Sequence, residues 1–264
     1  MRLSLVATTL LAAGSVAAVK DRSDRGKLTK STWVIDNQYK FSSRSYWDFS
    51  KITDGKLPAG LKISDYPVDG YEYVPQNVAI GDGFLQLKVN KGTFKSGEVT
   101  TLRKVKYASV RTVAVLSNTV GVCNGMFFYQ SDTQEADIEF LTNPNSDSNV
   151  DAAQAAGHRK GTRYIWLSNQ AARHGSLKTT YPIPVPATAT SAEHEYRLDW
   201  IPGMTRFFID GVQVWNSSRN VPSVAGVWVF NNWSDGDKSW SAGPPGQDAI
   251  FKIREIDMYF NAAV

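Results

Sequence analysis

Short runs of alternating apolar and polar residues, separated by turn-forming residues, occupy most of the chain. The run at 84–89 follows a Gly-Asp-Gly turn at 81–83, and Asp210-Gly211 joins two further runs as the two residues of a tight hairpin. Comparable runs lie at 78–80, 108–115, 125–130, 135–141, 163–167, 195–200, 205–209, 212–215, 226–233 and 249–260. More than ten runs without an internal repeat predict an all-β fold, a single sandwich of the jelly-roll type.

The composition supports a large apolar core and argues against nucleic acid as a partner. Of the 264 residues, 42% are hydrophobic, which excludes a disordered chain. The 29 Lys and Arg residues against 25 Asp and Glu give a net charge of +4, and no basic stripe with interleaved aromatic residues occurs. Because β-sandwiches reach ~200–250 residues as one domain, we expect a single domain over 19–264 that acts as a monomer.

The first 18 residues have the features of a secretory signal peptide. Arg2 precedes an uncharged, largely apolar stretch at 3–19, and Val16 and Ala18 match the small residues of a cleavage site. The stretch is rich in Ala, Ser and Thr and shorter than the ~20 strongly apolar residues that span a bilayer. We therefore expect a secreted protein without a membrane span, whose charged residues at 19–32 form a solvated leader.

One cysteine and three histidines limit the redox and metal chemistry that the chain offers. Cys123 cannot form an intrachain disulfide, and its neighbours Val122 and Asn124 supply neither a base nor a positive charge. We expect it to be a small buried residue. The three histidines lie far apart, with no pair at zinc-ligand spacing. We expect no metal site and no cofactor.

The segment 134–141 alternates acidic and apolar residues. On a strand, Glu135, Asp137 and Glu139 share one face, and the apolar residues between them face the core. The Cα atoms of Glu135 and Glu139 would lie ~13 Å apart, and curvature of the sheet would bring their carboxyl groups closer. A separation of ~5–5.5 Å suits a retaining glycosidase. A solvated acidic strand face is the alternative that the pattern alone leaves open.

This segment, Glu-Ala-Asp-Ile-Glu-Phe-Leu at 135–141, resembles the Glu-x-Asp-x-Glu signature of glycoside hydrolase family 16, in the form without the bulge. Further similar segments follow in order along the chain: Tyr-Val-Pro-Gln-Asn-Val at 73–78, Gly-Met-Phe-Phe-Tyr at 125–129, Tyr-Arg-Leu-Asp-Trp at 196–200 and Phe-Ile-Asp-Gly at 208–211. The segments at 231–237 and 240–245 are similar to secreted fungal members. The resemblance covers roughly 40–262 and implies a concanavalin A-like jelly roll that acts on β-glucans.

The resemblance implies a role for each of the three acids. Glu135 matches the nucleophile that forms a glycosyl-enzyme intermediate, and Glu139 matches the general acid/base. Asp137, between them, is expected to raise the pKa of Glu139 by its charge and to orient Glu135 through a hydrogen bond.

Substrate contacts are expected from residues near the C-terminal end of the family segment. Asn231 and Trp233 share a strand face and resemble cleft residues of the family. Trp240 lies in a Gly/Pro-rich loop at 234–248 and is expected to offer a flat surface to a sugar ring. The remaining tryptophans, Trp166 among them, are expected in the framework.

Two other long loops are also expected to border the cleft. One is a polar loop at 143–161, with at most a helical turn at 151–156, and the other lies at 182–191.

The implied activity is hydrolysis of internal bonds in β-1,3/1,4-glucans with retention of configuration. A cell-wall transglycosylase would use the same acids, and a non-catalytic glucan-binding jelly roll would have the same fold. The single cysteine and the lack of a chitin-binding module favour hydrolysis over transfer, since wall-crosslinking members usually carry disulfides and often such a module. The complete set of three acids favours an enzyme over a binding module.

The sequence also leads to expectations for two sequon asparagines and one aspartate. Asn216 and Asn232 begin Asn-x-Ser sequons, and we expect Asn216 to be exposed and Asn232 to be buried and unmodified. Asp257 on a late strand is a possible ligand for the structural calcium of some family members, but a solvated acid is the simpler expectation.

Overall fold

The computed structural model of the protein describes residues 26–29 and 31–263, so the predicted signal peptide at 1–18 lies outside the described residues. Twenty strands, one α-helix and two short 3-10 helices (Phe49–Lys51 and Pro75–Asn77) make up the regular structure of the described part. The strands and the α-helix are labelled in chain order. They are β1 (Lys27–Thr29), β2 (Thr32–Ile35), β3 (Tyr39–Phe41), β4 (Ser43–Asp48), β5 (Leu61–Ile63), β6 (Tyr66–Val68), β7 (Tyr71–Tyr73), β8 (Val78–Gly81), β9 (Phe84–Val89), β10 (Lys95–Thr101), β11 (Val105–Val115), β12 (Cys123–Ser131), β13 (Gln134–Leu141), α1 (Asp147–Ala155), β14 (Tyr164–Asn169), β15 (Thr179–Pro184), β16 (His194–Ile201), β17 (Met204–Ile209), β18 (Val212–Ser217), β19 (Val227–Trp233) and β20 (Ala249–Ala262).

Two large sheets and one small sheet contain these strands. The front sheet has nine strands, in the order β15-β14-β13-β12-β19-β10-β7-β6 with β5 also paired to β10. The back sheet has eight, in the order β18-β17-β16-β11-β20-β9-β8 with β4 also paired to β20. Neighbouring strands run antiparallel, apart from the parallel pair β7 and β10. The small sheet joins β1, β2 and β3.

The core lies between the front and back sheets. Ile138 and Phe140 of β13 pack in the same buried cluster as Leu198 and Trp200 of β16. The residues between them, Glu139 and Asp199, are polar and point the other way, which is the alternation of a strand that buries one face. This two-sheet, nearly all-β architecture confirms the predicted fold class.

Both predicted hairpins are present. Asp82 and Gly83 have φ angles of 53° and 79° between β8 and β9, and Asp210 and Gly211 have φ angles of 50° and 77° between β17 and β18. Positive φ at both central residues matches the twist of the strands that such turns join.

The prediction of a polar loop at 143–161 was wrong, because the segment contains helix α1. Ser146 caps the helix by accepting a hydrogen bond from the backbone N–H of Asn149 at 3.4 Å. Asn149, Ala152 and Ala153 are the buried residues of the helix. One buried side and a cap stabilise a helix that its composition alone does not indicate.

Two other boundaries differ from the sequence-based expectation. The predicted irregular segment at 182–191 begins within β15, where prolines are tolerated because β15 is the edge of the front sheet and needs no N–H on its free side. The predicted solvated leader at 19–32 includes β1 and the start of β2. This small sheet buries Ile35 and Phe41 against Tyr259 of the back sheet. In the described part of the chain, no helix is long and apolar enough to cross a membrane.

Candidate active site

Cross-strand pairing brings residues from five strands into one row on the outer face of the front sheet. Glu98 of β10 lies opposite Asn231 of β19, which lies opposite Gly125 of β12. Gly125 lies opposite Glu139 of β13, and Glu139 lies opposite Trp166 of β14. Residues directly opposite each other share a face, so two predicted site residues, Glu139 and Asn231, flank a single glycine.

Gly125, in the middle of this row, makes room for the side chain of Asn231. A Cβ at this position would collide with Oδ1 of Asn231 and would lie 3.1 Å from the Phe127 ring. Only glycine fits between the amide and the carboxyl of the neighbouring strands. The Asn231 amide therefore occupies the space beside Gly125, and the missing side chain lets this amide lie close to the strand that carries Gly125.

A cavity of about 480 Å³ opens over this face of the front sheet. Glu135 and Glu139 line it together with Asn231 and Trp233, whereas Asp137 is only 1% exposed. The other lining residues are mainly aromatic and polar: Lys62, Ser64, Tyr66, Val68, Tyr71, Tyr73, Glu98, Thr100, Phe127, Tyr129, Asp132, Val227 and Val229. Rings that stack on pyranose faces and polar groups that bond hydroxyls suit a carbohydrate chain.

The carboxyl groups of Glu135 and Asp137 lie close enough to affect each other's pKa. Burial raises the pKa of Glu135, and the charge of Asp137 raises it further. Burial also raises the pKa of Asp137, and the charge of Glu139 adds to this. Two carboxyl groups in contact share one proton, because two neighbouring charges in a desolvated site repel each other. Asp137 is further held by Gln170, whose Nε2 donates to Oδ2 at 2.8 Å.

Glu139 has different surroundings. Its Oε1 accepts hydrogen bonds from the Cys123 thiol at 3.3 Å and from Nε1 of Trp240 at 3.4 Å. Burial raises the pKa of Glu139, whereas Lys178 and these two donors lower it. The two glutamates at the ends of the acidic segment therefore differ: one is next to an acid, and the other is next to donors and a cation.

The two predicted tryptophan contacts lie in different places. Trp233 lines the cavity, and its ring stacks on Tyr71 with centroids 5.3 Å apart. Trp240 lies beside Glu139, with its ring 5.4 Å from that of Trp166 and the Lys178 ammonium 4.4 Å from its centroid. The role of Trp240 as a surface for a sugar ring stays a prediction.

Sequence reasoning missed Glu98, a buried carboxyl in the wall of the cavity. Glu98 is 3% exposed and accepts hydrogen bonds from Ser64 at 2.6 Å, Tyr66 at 2.9 Å and Nδ2 of Asn231 at 3.3 Å. Nδ2 of Asn231 also donates to the Tyr73 hydroxyl at 2.8 Å. Oδ1 of Asn231 is buried and receives no hydrogen bond from any described residue. A buried carbonyl oxygen without a donor is suited to accept one from a sugar hydroxyl.

The expectations for Cys123, Asn216, Asn232 and Asp257 have clear outcomes. Cys123 is fully buried, as predicted, but it contacts an acidic site residue, which its sequence neighbours did not indicate. Asn216 is exposed, and Asn232 is buried with Nδ2 donating to two backbone carbonyls. The expectation of a solvated Asp257 was wrong, because Arg44 and Tyr259 donate to its two oxygens. Within the described residues, no group of three potential metal ligands occurs.

A comparison with protein families decides the classification. The model of glycosyl hydrolases family 16 matches residues 70–243, more than half of the chain. The chain belongs to this family. A β-glucanase of Fibrobacter succinogenes is 27% identical over 177 residues, which are 62% of this chain and 45% of that protein. The chain thus spans less than half the length of that relative.

Solved structures of a glucanase and a transglycosylase share the fold. An endo-β-1,3-glucanase from Pyrococcus furiosus has a TM-score of 0.65 at 14% identity, covering 89% of this chain and all of that one. A structure described as the apo Crh5 transglycosylase has a TM-score of 0.59 at 15% identity, covering 83% of this chain and 84% of that one. At these identities, the likeness concerns the fold alone.

Proposed function

We propose that the protein is a retaining endo-β-glucanase that hydrolyses internal bonds of β-1,3/1,4-glucans by double displacement. Glu135 is the nucleophile and Glu139 is the general acid/base. The observation that carries this proposal is the placement of both carboxyl groups on one strand at the wall of one cavity, in unlike surroundings. Two acids with different environments are what acid and nucleophile roles require.

In the first step, a carboxylate oxygen of Glu135 attacks the anomeric carbon. An ester bond forms, the bond from that carbon to the glycosidic oxygen breaks, and the proton of Glu139 passes to the departing oxygen. As Glu135 attacks, the proton that the pair shares stays with Asp137, whose contact also orients Glu135. Gln170 fixes Asp137 in turn.

In the second step, the ionised Glu139 takes a proton from water. The water oxygen bonds to the anomeric carbon, the ester to Glu135 breaks, and both carboxyl groups return to their starting states. Two inversions at one carbon give net retention of configuration. The step requires no group beyond the three acids and water.

Residues on the strands next to Glu139 provide contacts for a sugar unit bound next to the cleaved bond. Asn231 presents a carbonyl oxygen without a donor among the described residues, and Trp233 and Tyr71 provide rings. Glu98 holds the Asn231 amide from the other side. Stacking and a few directed hydrogen bonds are how protein sites select sugar chains.

The proposal includes secretion and a likeness to fungal members of the family. The stretch at 3–19 and the small residues before 19 support export. The segments at 231–237 and 240–245 support the fungal likeness. We further propose one domain over 19–264 that acts as a monomer.

Transfer to a sugar acceptor is the second candidate, favoured by the fold shared with the Crh5 transglycosylase structure. The first step would be identical, and Glu139 would then activate a sugar hydroxyl instead of water. A fluorescently labelled oligosaccharide acceptor separates the two. Hydrolysis gives short unlabelled products, whereas transfer gives long labelled ones.

Assays on laminarin, mixed-linkage glucan and xyloglucan test the proposal. We expect new reducing ends and a rapid fall in chain length on at least one of these glucans, with Glu139→Gln as the inactive control of the same fold. Binding to the glucans without turnover or transfer would instead identify a binding module.

A further inference from the structure

Oε1 of Glu139 is held by two donors from different parts of the chain. The Cys123 thiol reaches it from β12 at 3.3 Å, and Nε1 of Trp240 reaches it from the loop after β19 at 3.4 Å. Cys123 is the only cysteine in the sequence and is fully buried. Neither residue has a role in the chemical steps proposed above.

Both groups act as donors to Oε1 in this position. An indole N–H has no acceptor capacity. Burial, together with the charge of Glu139, raises the pKa of the Cys123 thiol well above its usual range, so it keeps its proton. Oε1 must therefore be the acceptor in both bonds. When Glu139 is protonated, its proton belongs on the other oxygen, Oε2.

We propose that Cys123 and Trp240 are positioning residues that hold Oε1 of Glu139 and leave Oε2 to carry the proton given to the leaving oxygen. This inference rests on the proposed function, because it assigns the oxygen through which the general acid acts. It also explains why a buried thiol lies on the outer face of the front sheet, opposite Trp233.

The loop that carries Trp240 is itself fixed. Ser241 donates to Asp235 Oδ1 at 2.6 Å and accepts from the backbone N–H of Asp235 at 3.1 Å. The Trp240 ring packs against Trp166. A donor on an anchored loop and a donor on the neighbouring strand together restrict the carboxyl group more than either one alone.

The charged and titratable groups facing Glu139 fix the sign of the expected pH effect. They are Glu135 and Asp137 on the same strand, Cys123 on β12 and Lys178 before β15. Hydrogen bonds from Cys123 and Trp240 favour the ionised form of Glu139 and so lower its pKa. Loss of either donor should raise this pKa, which moves the alkaline limb of the kcat/KM profile to higher pH.

Two single substitutions test this in activity. We expect Cys123→Ala and Trp240→Phe each to shift the alkaline limb upward by roughly half a unit to one unit, and to lower kcat/KM on glucan about 3- to 10-fold. An aryl glucoside with a good leaving group should be much less affected, since it needs little proton donation. Cys123→Ser keeps a hydroxyl donor, so its alkaline limb should lie at the same pH as in the wild type. Val122→Ala removes packing from a buried neighbour that faces Val89 and Ala249, and should leave the limb unchanged.

Infrared spectroscopy tests the hydrogen bond without any turnover. Because the chain has one cysteine, its S–H stretching band belongs to Cys123. We expect this band to shift as Glu139 ionises, since a charged acceptor strengthens the bond, and the pH response to vanish in Glu139→Ala. A band that ignores pH in the wild type overturns the inference, as does an unchanged alkaline limb in both donor variants. Failure of the wild type to cleave glucans would overturn the proposed function, and the S–H band would still decide whether Cys123 holds Glu139.

Discussion

Buried and partly buried carboxyl groups occur at the outer faces of both large sheets, but their partners differ. On the back sheet, Nη2 of Arg197 lies 2.6 Å from Asp36 and 2.7 Å from Asp199. Arg44 and Asp257 pair there as well, at 2.7 Å. On the front sheet, Glu98, Glu135, Asp137 and Glu139 make no ion pair within 4 Å to any described residue, and amides, hydroxyls, a thiol and an indole serve as their donors.

The difference separates carboxyl groups that stabilise the fold through ion pairs from carboxyl groups that can exchange protons in a reaction. A buried carboxylate paired with a guanidinium stays ionised, and its desolvation cost is offset by the pairing. Without a cation in contact, the Glu135–Asp137 pair has raised pKa values and together holds a proton near neutral pH. The front sheet therefore stores exchangeable protons at the expense of stability, as expected of a catalytic face.

The largest effects are expected from the two glutamates. Glu135→Gln and Glu139→Gln should each lower kcat on unactivated glucan by about 10³-fold or more, because one removes the nucleophile and the other the proton donor. Their rescue should differ. Azide should restore turnover in Glu135→Ala and give a product of inverted configuration, whereas Glu139 variants should retain activity on substrates with good leaving groups and give retained products. Near-wild-type activity in either folded Gln variant would exclude β13 as the catalytic strand.

On the back sheet, removal of a cation should damage stability and not chemistry. Arg197→Met leaves Asp199, which is 1% exposed, without its bidentate partner, and we expect a loss of about 3–5 kcal/mol in the free energy of unfolding. Urea denaturation measures this, and kcat per folded molecule should not change. A loss of kcat at unchanged stability would contradict the division between the two sheets.

Asp137→Asn should have an intermediate effect. The amide keeps the shape but loses the shared proton, so we expect kcat to fall about 10- to 100-fold. Removal of a neighbouring negative charge lowers the pKa of Glu139, so the alkaline limb should move to lower pH, opposite to its shift in the donor variants Cys123→Ala and Trp240→Phe. A pH profile of kcat/KM decides this. An alkaline limb that moves upward would show that Asp137 does not repel Glu139.

The smallest effect concerns the pH dependence of stability, which should have opposite signs on the two sheets. The pKa of Asp137 is raised, so its contribution is present below the unfolded value near 4 and is lost as the pH rises toward about 8. Burial alone would raise the pKa of Asp36, but Arg197 and Arg206 lower it, so its contribution is lost only as the pH falls below about 4.

Urea midpoints measured from pH 3 to pH 9 test this contrast. Asp137→Asn should flatten the alkaline decline, and Asp36→Asn should flatten the acidic one, each by roughly 1 kcal/mol. Identical pH slopes in both variants would contradict it.

The sequence predicted what depends on local alternation and turn chemistry. The acidic and apolar faces of 135–141 and the two turns at 82–83 and 210–211 follow from period-two patterning and from residues that tolerate positive φ. For the same reason, Asn232 was correctly expected on the buried face, opposite to Asn231.

Contacts that depend on strand register could not be predicted. Strand β10 reads Lys-Ser-Gly-Glu-Val-Thr-Thr, without clear alternation, so Glu98 gave no signal. The contact of Cys123 with Glu139 joins residues on two strands and depends on the pairing of β12 with β13. The cap of α1 and the prolines in an edge strand also depend on their neighbours in the fold.

Trapping of the glycosyl-enzyme intermediate tests the role of Glu135 most directly. A 2-deoxy-2-fluoro glucan oligosaccharide with a fluoride leaving group should form the ester and then react with water only slowly. Mass spectrometry of the digested protein should find one sugar adduct, on the peptide that contains Glu135, and none in Glu135→Gln. An adduct on another residue, or turnover without an adduct and with an inverted product, would contradict a double displacement through Glu135.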